Sequence, residues 1–181
     1  CWRGVPATFR RLRVICTRRC RFLYVGHGKP NPFDIEGPAH WDQAMAEMQL
    51  KCVVITSVER DDWRDGGAQH FADCIRESRV HNPALEIEVL VPDFRGRMDP
   101  ALDILSATPP DVFNHNIETV PRLYRQAPPG SHFAWSLNLF QQYKTRNSAV
   151  PPKSGLMGVI GETKEDLPRH PHGEPRPGVG A

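Results

Sequence analysis

Cys52-Val-Val-Ile-Thr-Ser57 and Glu86-Ile-Glu-Val-Leu-Val91 bracket an amphipathic stretch from Ala68 to Val80, and this order decides the fold. Both bracketing segments are short β-branched runs of the kind buried on both faces of a parallel sheet. Pro92 stops the second. Strand, helix and strand in succession make a βαβ unit. Asp111-Val-Phe-Asn-His-Asn116 and Ser154-Gly-Leu-Met-Gly-Val-Ile160 read as two further strands. His40 to Leu50, Asp99 to Ala107 and Ser131 to Lys144 have helical spacing. With a first strand near Phe9, the pattern gives about five β/α units, an α/β chain with a parallel sheet or barrel. Chemistry in such folds sits on loops leaving the carboxyl ends of the strands. The polar clusters Cys16 to Lys29, Ser57 to Gln69, Asp93 to Arg97 and Asn114 to Glu118 fall in those places.

Composition narrows the class. The 181 residues are 39% hydrophobic and 24% charged, a globular mix able to bury a sizeable core. No apolar run approaches the roughly 18 residues of a membrane span. Lys plus Arg is 23 against 21 Asp plus Glu, so the net +2 calls for no acidic polymer. The arginines from Arg10 to Arg21 lack interleaved aromatics, which argues against nucleic acid. Five cysteines, an odd and uneven set at 1, 16, 20, 52 and 74, do not make a secreted disulfide framework. Reduced thiols or metal-ligating thiolates are expected, with Cys52 and Cys74 as small core residues. The segment from 168 to 181 holds four of the 18 prolines and has no periodicity, so no packed element is expected there.

The sharpest local signal is Cys16-Thr-Arg-Arg-Cys20-Arg-Phe-Leu23-Tyr-Val-Gly-His-Gly-Lys29, directly after the first strand. Two thiolates four residues apart in a glycine-containing loop can bind one metal or one edge of a cluster. Flanking arginines would lower the thiolate pKa values. Two ligands alone are not a site. A zinc module built on the same pair is the weaker alternative.

This loop resembles that of the radical S-adenosylmethionine enzymes, which hold a [4Fe–4S] cluster through C-x3-C-x2-C. More narrowly, the chain from Cys1 to about Leu167 resembles the lipoyl synthase family. The matching blocks include Pro6-Ala-Thr-Phe9, Ile15-Cys-Thr-Arg-Arg-Cys-Arg-Phe22 and Arg64-Asp-Gly-Gly-Ala-Gln-His-Phe71. They continue through Glu88-Val-Leu-Val-Pro-Asp-Phe-Arg-Gly-Arg97, Pro110-Asp-Val-Phe-Asn-His-Asn116, Glu118-Thr-Val-Pro-Arg-Leu-Tyr124 and Lys153-Ser-Gly-Leu-Met157.

The resemblance implies a partial parallel (β/α) barrel of the radical S-adenosylmethionine type, truncated at both ends. Residues 1–8 would be the remnant of an auxiliary-cluster segment, 9–167 the incomplete barrel, and 168–181 a disordered or out-of-frame tail. It also implies radical-mediated insertion of two sulfur atoms at C6 and C8 of an octanoyl group on a lipoyl carrier protein. The cofactors would be two [4Fe–4S] clusters and S-adenosylmethionine. The partners would be an octanoylated lipoyl domain or H-protein and an electron donor, with no nucleic acid and no membrane. The compartment would be the cytoplasm of a bacterial-type cell, with the mitochondrial matrix as the alternative.

By the same resemblance, Cys16 and Cys20 match the first two ligands of the radical cluster, and Cys1 matches an auxiliary-cluster ligand. Asp65, Gly66, Gly67, Asn114, Asn116 and Glu118 are candidates for contact with S-adenosylmethionine. Arg95 and Lys153 would carry positive charge at the mouth. His27 and His115 are expected as hydrogen-bonding loop residues, and Asp61 and Asp62 as a loop network with Arg60 rather than a carboxylate pair.

The chain departs from the family pattern where it matters most. The third cluster position is Leu23, which cannot ligate iron. Arg10, Arg11 and Arg13 surround Leu12 in what should be a buried strand. These departures carry the alternative reading, a catalytically inactive fragment or decayed paralogue.

Overall fold

A computed structural model describes residues 7–10, 15–18, 26–28, 50–126, 130–156, 158 and 161–166. Its elements are β1 (Ala7–Arg10), β2 (Ile15–Cys16), β3 (Gly26–His27), β4 (Cys52–Thr56), α1 (Ala68–His81) and β5 (Glu86–Leu90). After these come α2 (Met98–Ala107), β6 (Val112–Asn114), a 3-10 turn (Pro121–Gln126), α3 (Phe133–Arg146) and β7 (Pro152–Lys153). One sheet runs β1-β4-β5-β6-β7, parallel at every pairing. β2 and β3 form a second, two-stranded parallel sheet that the sequence pattern did not show.

The register sorts side chains by face. Val53 pairs with Ile87, Ile55 with Val89, and Val89 with Phe113. These residues belong to one core with Phe71 and Ile75 of α1, Leu102 and Leu105 of α2, and Leu139 and Tyr143 of α3. Each such side chain adds roughly 1.5–3 kcal/mol of apolar burial. The Phe113 and Tyr143 rings stack at 3.8 Å between centroids, fixing α3 on β6. α1 packs on α2 and α2 on α3, so the helices cover one side of the sheet in chain order.

The middle of residues 86–91 is buried on both faces, as the sequence reading expects, and the face opposite the helices carries a buried charge. Alternation along β5 puts Ile87 and Val89 toward the helices and Glu88 on the other face. There Glu88, only 1% exposed, accepts both carboxylate contacts from Lys153 Nζ at 2.9 Å and one from Asn114 Nδ2 at 2.6 Å.

One boundary and one cysteine differ from expectation. β7 lies at 152–153 rather than 154–160. Its register is set by carbonyls: Pro151, Lys153 and Gly155 accept from Phe113, His115 and Ile117. Pro152 is tolerated there because the bonds to β6 do not need its missing N–H. β1 is described over Ala7–Arg10, and Arg11, Leu12 and Arg13 lie outside the described residues. Cys52 is buried but disulfide-bonded, not the reduced core thiol expected. Residues 40–49 of the helix expected at 40–50, and the tail from 168, lie outside the described residues.

Candidate functional site

Because every strand of the main sheet is parallel, the loops after β4, β5, β6 and β7 leave from one edge. The segment 16–18 joins them there. Thr17 N and Oγ1 both donate to Glu59 O, at 3.3 and 2.9 Å, and Asp61 N donates to Thr17 Oγ1 at 3.2 Å. Cys16 is fully buried against Val58, and its Sγ accepts the backbone N–H of Arg18 at 3.4 Å.

Arg18 is 6% exposed and lies at the centre of this edge. Its Nε and Nη2 donate to the two oxygens of Asp61 at 2.7 and 2.8 Å. Nη1 and Nη2 donate to the two oxygens of Asp93 at 2.8 Å each. Glu59 lies 3.4 Å from Nη2. The hydrogen bonds to Arg18 hold Asp61 below the usual carboxylate range. Burial, reinforced by Asp93, holds Glu59 well above it. Arg18, which flanks Cys16 in the sequence, thus directs its guanidinium hydrogen bonds to Asp61 and Asp93. The Asp61 and Asp93 carboxylates take up its charge.

The remaining mouth residues divide by task. Asp65 Oδ1 and Oδ2 accept the N–H groups of Gly67 and Gln69 at 3.1 and 2.8 Å, capping α1. Gly66 has φ +62, and a Cβ there would sit 2.9 Å from Phe94 Cδ1. Asp65, Gly66 and Gly67 thus build a turn and a helix start, whatever else they contact. Asn114 donates to Glu88, and its buried Oδ1 has no partner among the described residues. Asn116 Oδ1 lies against Gly155, 3.1 Å from where a Cβ would be. Glu118 has φ +33, and burial with Asp93 nearby pushes its carboxyl up to about 7. Lys153 is ion-paired with Glu88 rather than held as open charge at the mouth. Arg95 is exposed and packs over Gly130.

His115 is a buried hydrogen-bonding residue. The Val91 carbonyl can only accept, so Nδ1 carries the proton at 3.0 Å and Nε2 accepts from Ser136 Oγ at 2.9 Å. Asp61 pairs with Arg18 and Asp62 with Arg60, not with each other. Arg60 also stacks over Trp63 at 4.0 Å. Cys1, Cys20, Leu23 and the His27 side chain lie outside the described residues. The sequence reading did not single out Glu59, Glu88, Trp135 or Ser136, although Glu59 falls within the polar cluster Ser57 to Gln69 that it placed at the mouth.

The profile of the radical SAM superfamily matches residues 12–170. The chain belongs to that superfamily. Within it the chain is similar to lipoyl synthases. It is 62% identical over 167 residues to the lipoyl synthase of Laribacter hongkongensis, covering 92% of this chain and 53% of the relative. It is 60% identical to that of Photobacterium profundum, again over 92% of this chain and 52% of the relative. The chain thus spans about half the length of these curated relatives. Methylornithine synthase shares the fold, with a TM-score of 0.68 at 15% identity over 90% of this chain and 48% of that one. No helix among the described residues is long and apolar enough to cross a membrane.

Membership in this superfamily implies an iron–sulfur cluster and S-adenosylmethionine. The donor set of this chain does not fit a cluster held as the family holds it. Cys16 offers a buried thiol that accepts an N–H; the sequence adds one further cysteine at position 20, and Leu23 supplies no donor. Among the described residues no group of three His, Cys, Asp or Glu could hold a metal ion.

Proposed function

We propose that this chain carries the barrel portion of an enzyme that inserts two sulfur atoms at C6 and C8 of an octanoyl group. The octanoyl group would be carried on a lipoyl carrier domain or H-protein. The supporting observation is the identity of about three-fifths to lipoyl synthases across nearly all of this chain. Two [4Fe–4S] clusters, S-adenosylmethionine and an electron donor belong to this reading, with the cytoplasm as the compartment. Cys16 and Cys20 are its cluster ligands and Cys1 its auxiliary ligand. Asp65, Gly66, Gly67, Asn114, Asn116 and Glu118 line the approach of S-adenosylmethionine.

Leu23 favours a second reading, a chain that keeps the scaffold without a working cluster. Anaerobic reconstitution with iron and sulfide separates the two, using the chain and Leu23→Cys side by side. The expected result is no stable cluster and no reductive cleavage of S-adenosylmethionine by the chain, with both gained by Leu23→Cys. Cleavage by the unaltered chain would eliminate the inactive reading. A Leu23→Cys protein that stays free of iron would eliminate the ligand assignment. Stoichiometric zinc without iron would point to a zinc module.

A further inference from the structure

Arg18 stands between two cysteines in the chain, yet its side chain turns away to the ends of two other strands. Four of its five N–H groups are engaged by Asp61 and Asp93, each carboxylate gripped through both oxygens. This fork-on-fork geometry is available to a guanidinium and not to an ammonium. The partners are themselves held. Arg97 Nη2 donates to Asp61 O at 2.6 Å, and Trp135 Nε1 donates to Asp93 O at 2.8 Å. Asp93 Oδ1 also accepts Arg95 N at 3.0 Å. The side chain thereby ties segment 16–18 to the loops after β4 and β5 and, through Trp135, to α3.

We infer that Arg18 is a positioning residue: by clamping Asp61 and Asp93 it fixes the Cys16 thiol at the mouth of the sheet. The link from clamp to thiol is short. Arg18 N donates to Cys16 Sγ at 3.4 Å, and Gly28 N donates to Cys16 O at 3.3 Å, so the backbone around the sulfur is set where the guanidinium anchors it. With Asp61 and Asp93 gripping it, Arg18 places the loop rather than neutralising what the thiol binds. That the positioned thiol is a cluster ligand rests on the function proposed above. The positioning itself does not.

Alkylation by iodoacetamide, read site by site by mass spectrometry, tests the clamp on the chain, Arg18→Lys and Asp93→Asn. Lysine keeps the charge and loses the double fork, so a changed rate reports access to the thiol. Cys74, buried in α1, reports the stability of the fold as a whole. In Arg18→Lys we expect Cys16 to react roughly tenfold faster while Cys74 keeps its rate, the signature of local opening. Asp93→Asn should raise the Cys16 rate by a smaller factor, again with Cys74 unchanged. An unchanged Cys16 rate in either variant, or a parallel rise at Cys74, would overturn the inference. In the Leu23→Cys background, adding Arg18→Lys should also alter the electron paramagnetic resonance of the reduced cluster. If Leu23→Cys takes up no iron while the alkylation pattern holds, the cluster assignment fails and the clamp stands.

Discussion

Glu118 and His115 show how burial at the mouth sets charge one residue at a time. Burial and Asp93 raise the Glu118 carboxyl from its ordinary 4.5 to about 7. Ionising it is therefore harder in the folded chain than in the unfolded one. Its contribution to stability is complete below pH 4.5 and lost as pH rises through about 7. Glu118→Gln should accordingly gain stability relative to the parent chain at pH 8 and show no such gain at pH 4, read by urea denaturation at both values. His115 behaves in the opposite sense. Burial lowers its pKa from 6.5, so it is neutral in the fold. The stability it supplies is present above pH 6.5 and is lost as pH falls through its lowered folded value. Removing that imidazole by His115→Gln should flatten the acid limb of the stability profile. His115 was expected as a hydrogen-bonding residue, but neither charge state was legible from sequence, because each depends on burial and on what Asp93, Val91 and Ser136 bring from other elements.

Single elements begin and end at residues the sequence did display. Asp65-Gly66-Gly67 is quotable as a motif, and its structural job follows from geometry: a double backbone cap for α1 and a turn pressed onto Phe94. Gly66→Ala would place a Cβ 2.9 Å from an aromatic carbon at φ +62. We expect a loss of about 1–3 kcal/mol in chemical denaturation from this combination of positive φ and contact. Asp65→Ala should cost about 1 kcal/mol by removing the cap, with the midpoint of thermal unfolding as the check. The strand periods were readable in the same way. β4 and β5 formed where β-branched residues cluster. β7 could not be placed, because its register depends on which carbonyls face β6 rather than on its own side chains.

The whole molecule adds a polar inner face that no single strand announces. Glu88 of β5, Asn114 of β6 and Lys153 of β7 are far apart in the chain and meet only because three parallel strands align. Lys153→Met would leave the Glu88 carboxylate buried without its cation. A loss of about 3–5 kcal/mol is expected for breaking such a pair from one side. The double variant Glu88→Met with Lys153→Met should recover most of that loss, as judged by urea unfolding of both proteins. An equal loss in the double variant would mean that the pair contributes more than mutual compensation.

Local pattern was enough to establish the α/β class, the βαβ order, the placement of chemistry on strand-end loops and the resemblance carried by the cysteine loop. Hydrophobic period and residue spacing are properties of neighbouring residues, so one chain displays them. Tertiary structure alone decided that Arg18 clamps Asp61 and Asp93, that Glu88 points away from the helices, and that Lys153 is held by it. Those facts rest on pairings 43, 75 and 65 residues apart along the chain. A buried charge has its partner chosen by strand register and loop approach, and neither is written at the position of the charge itself.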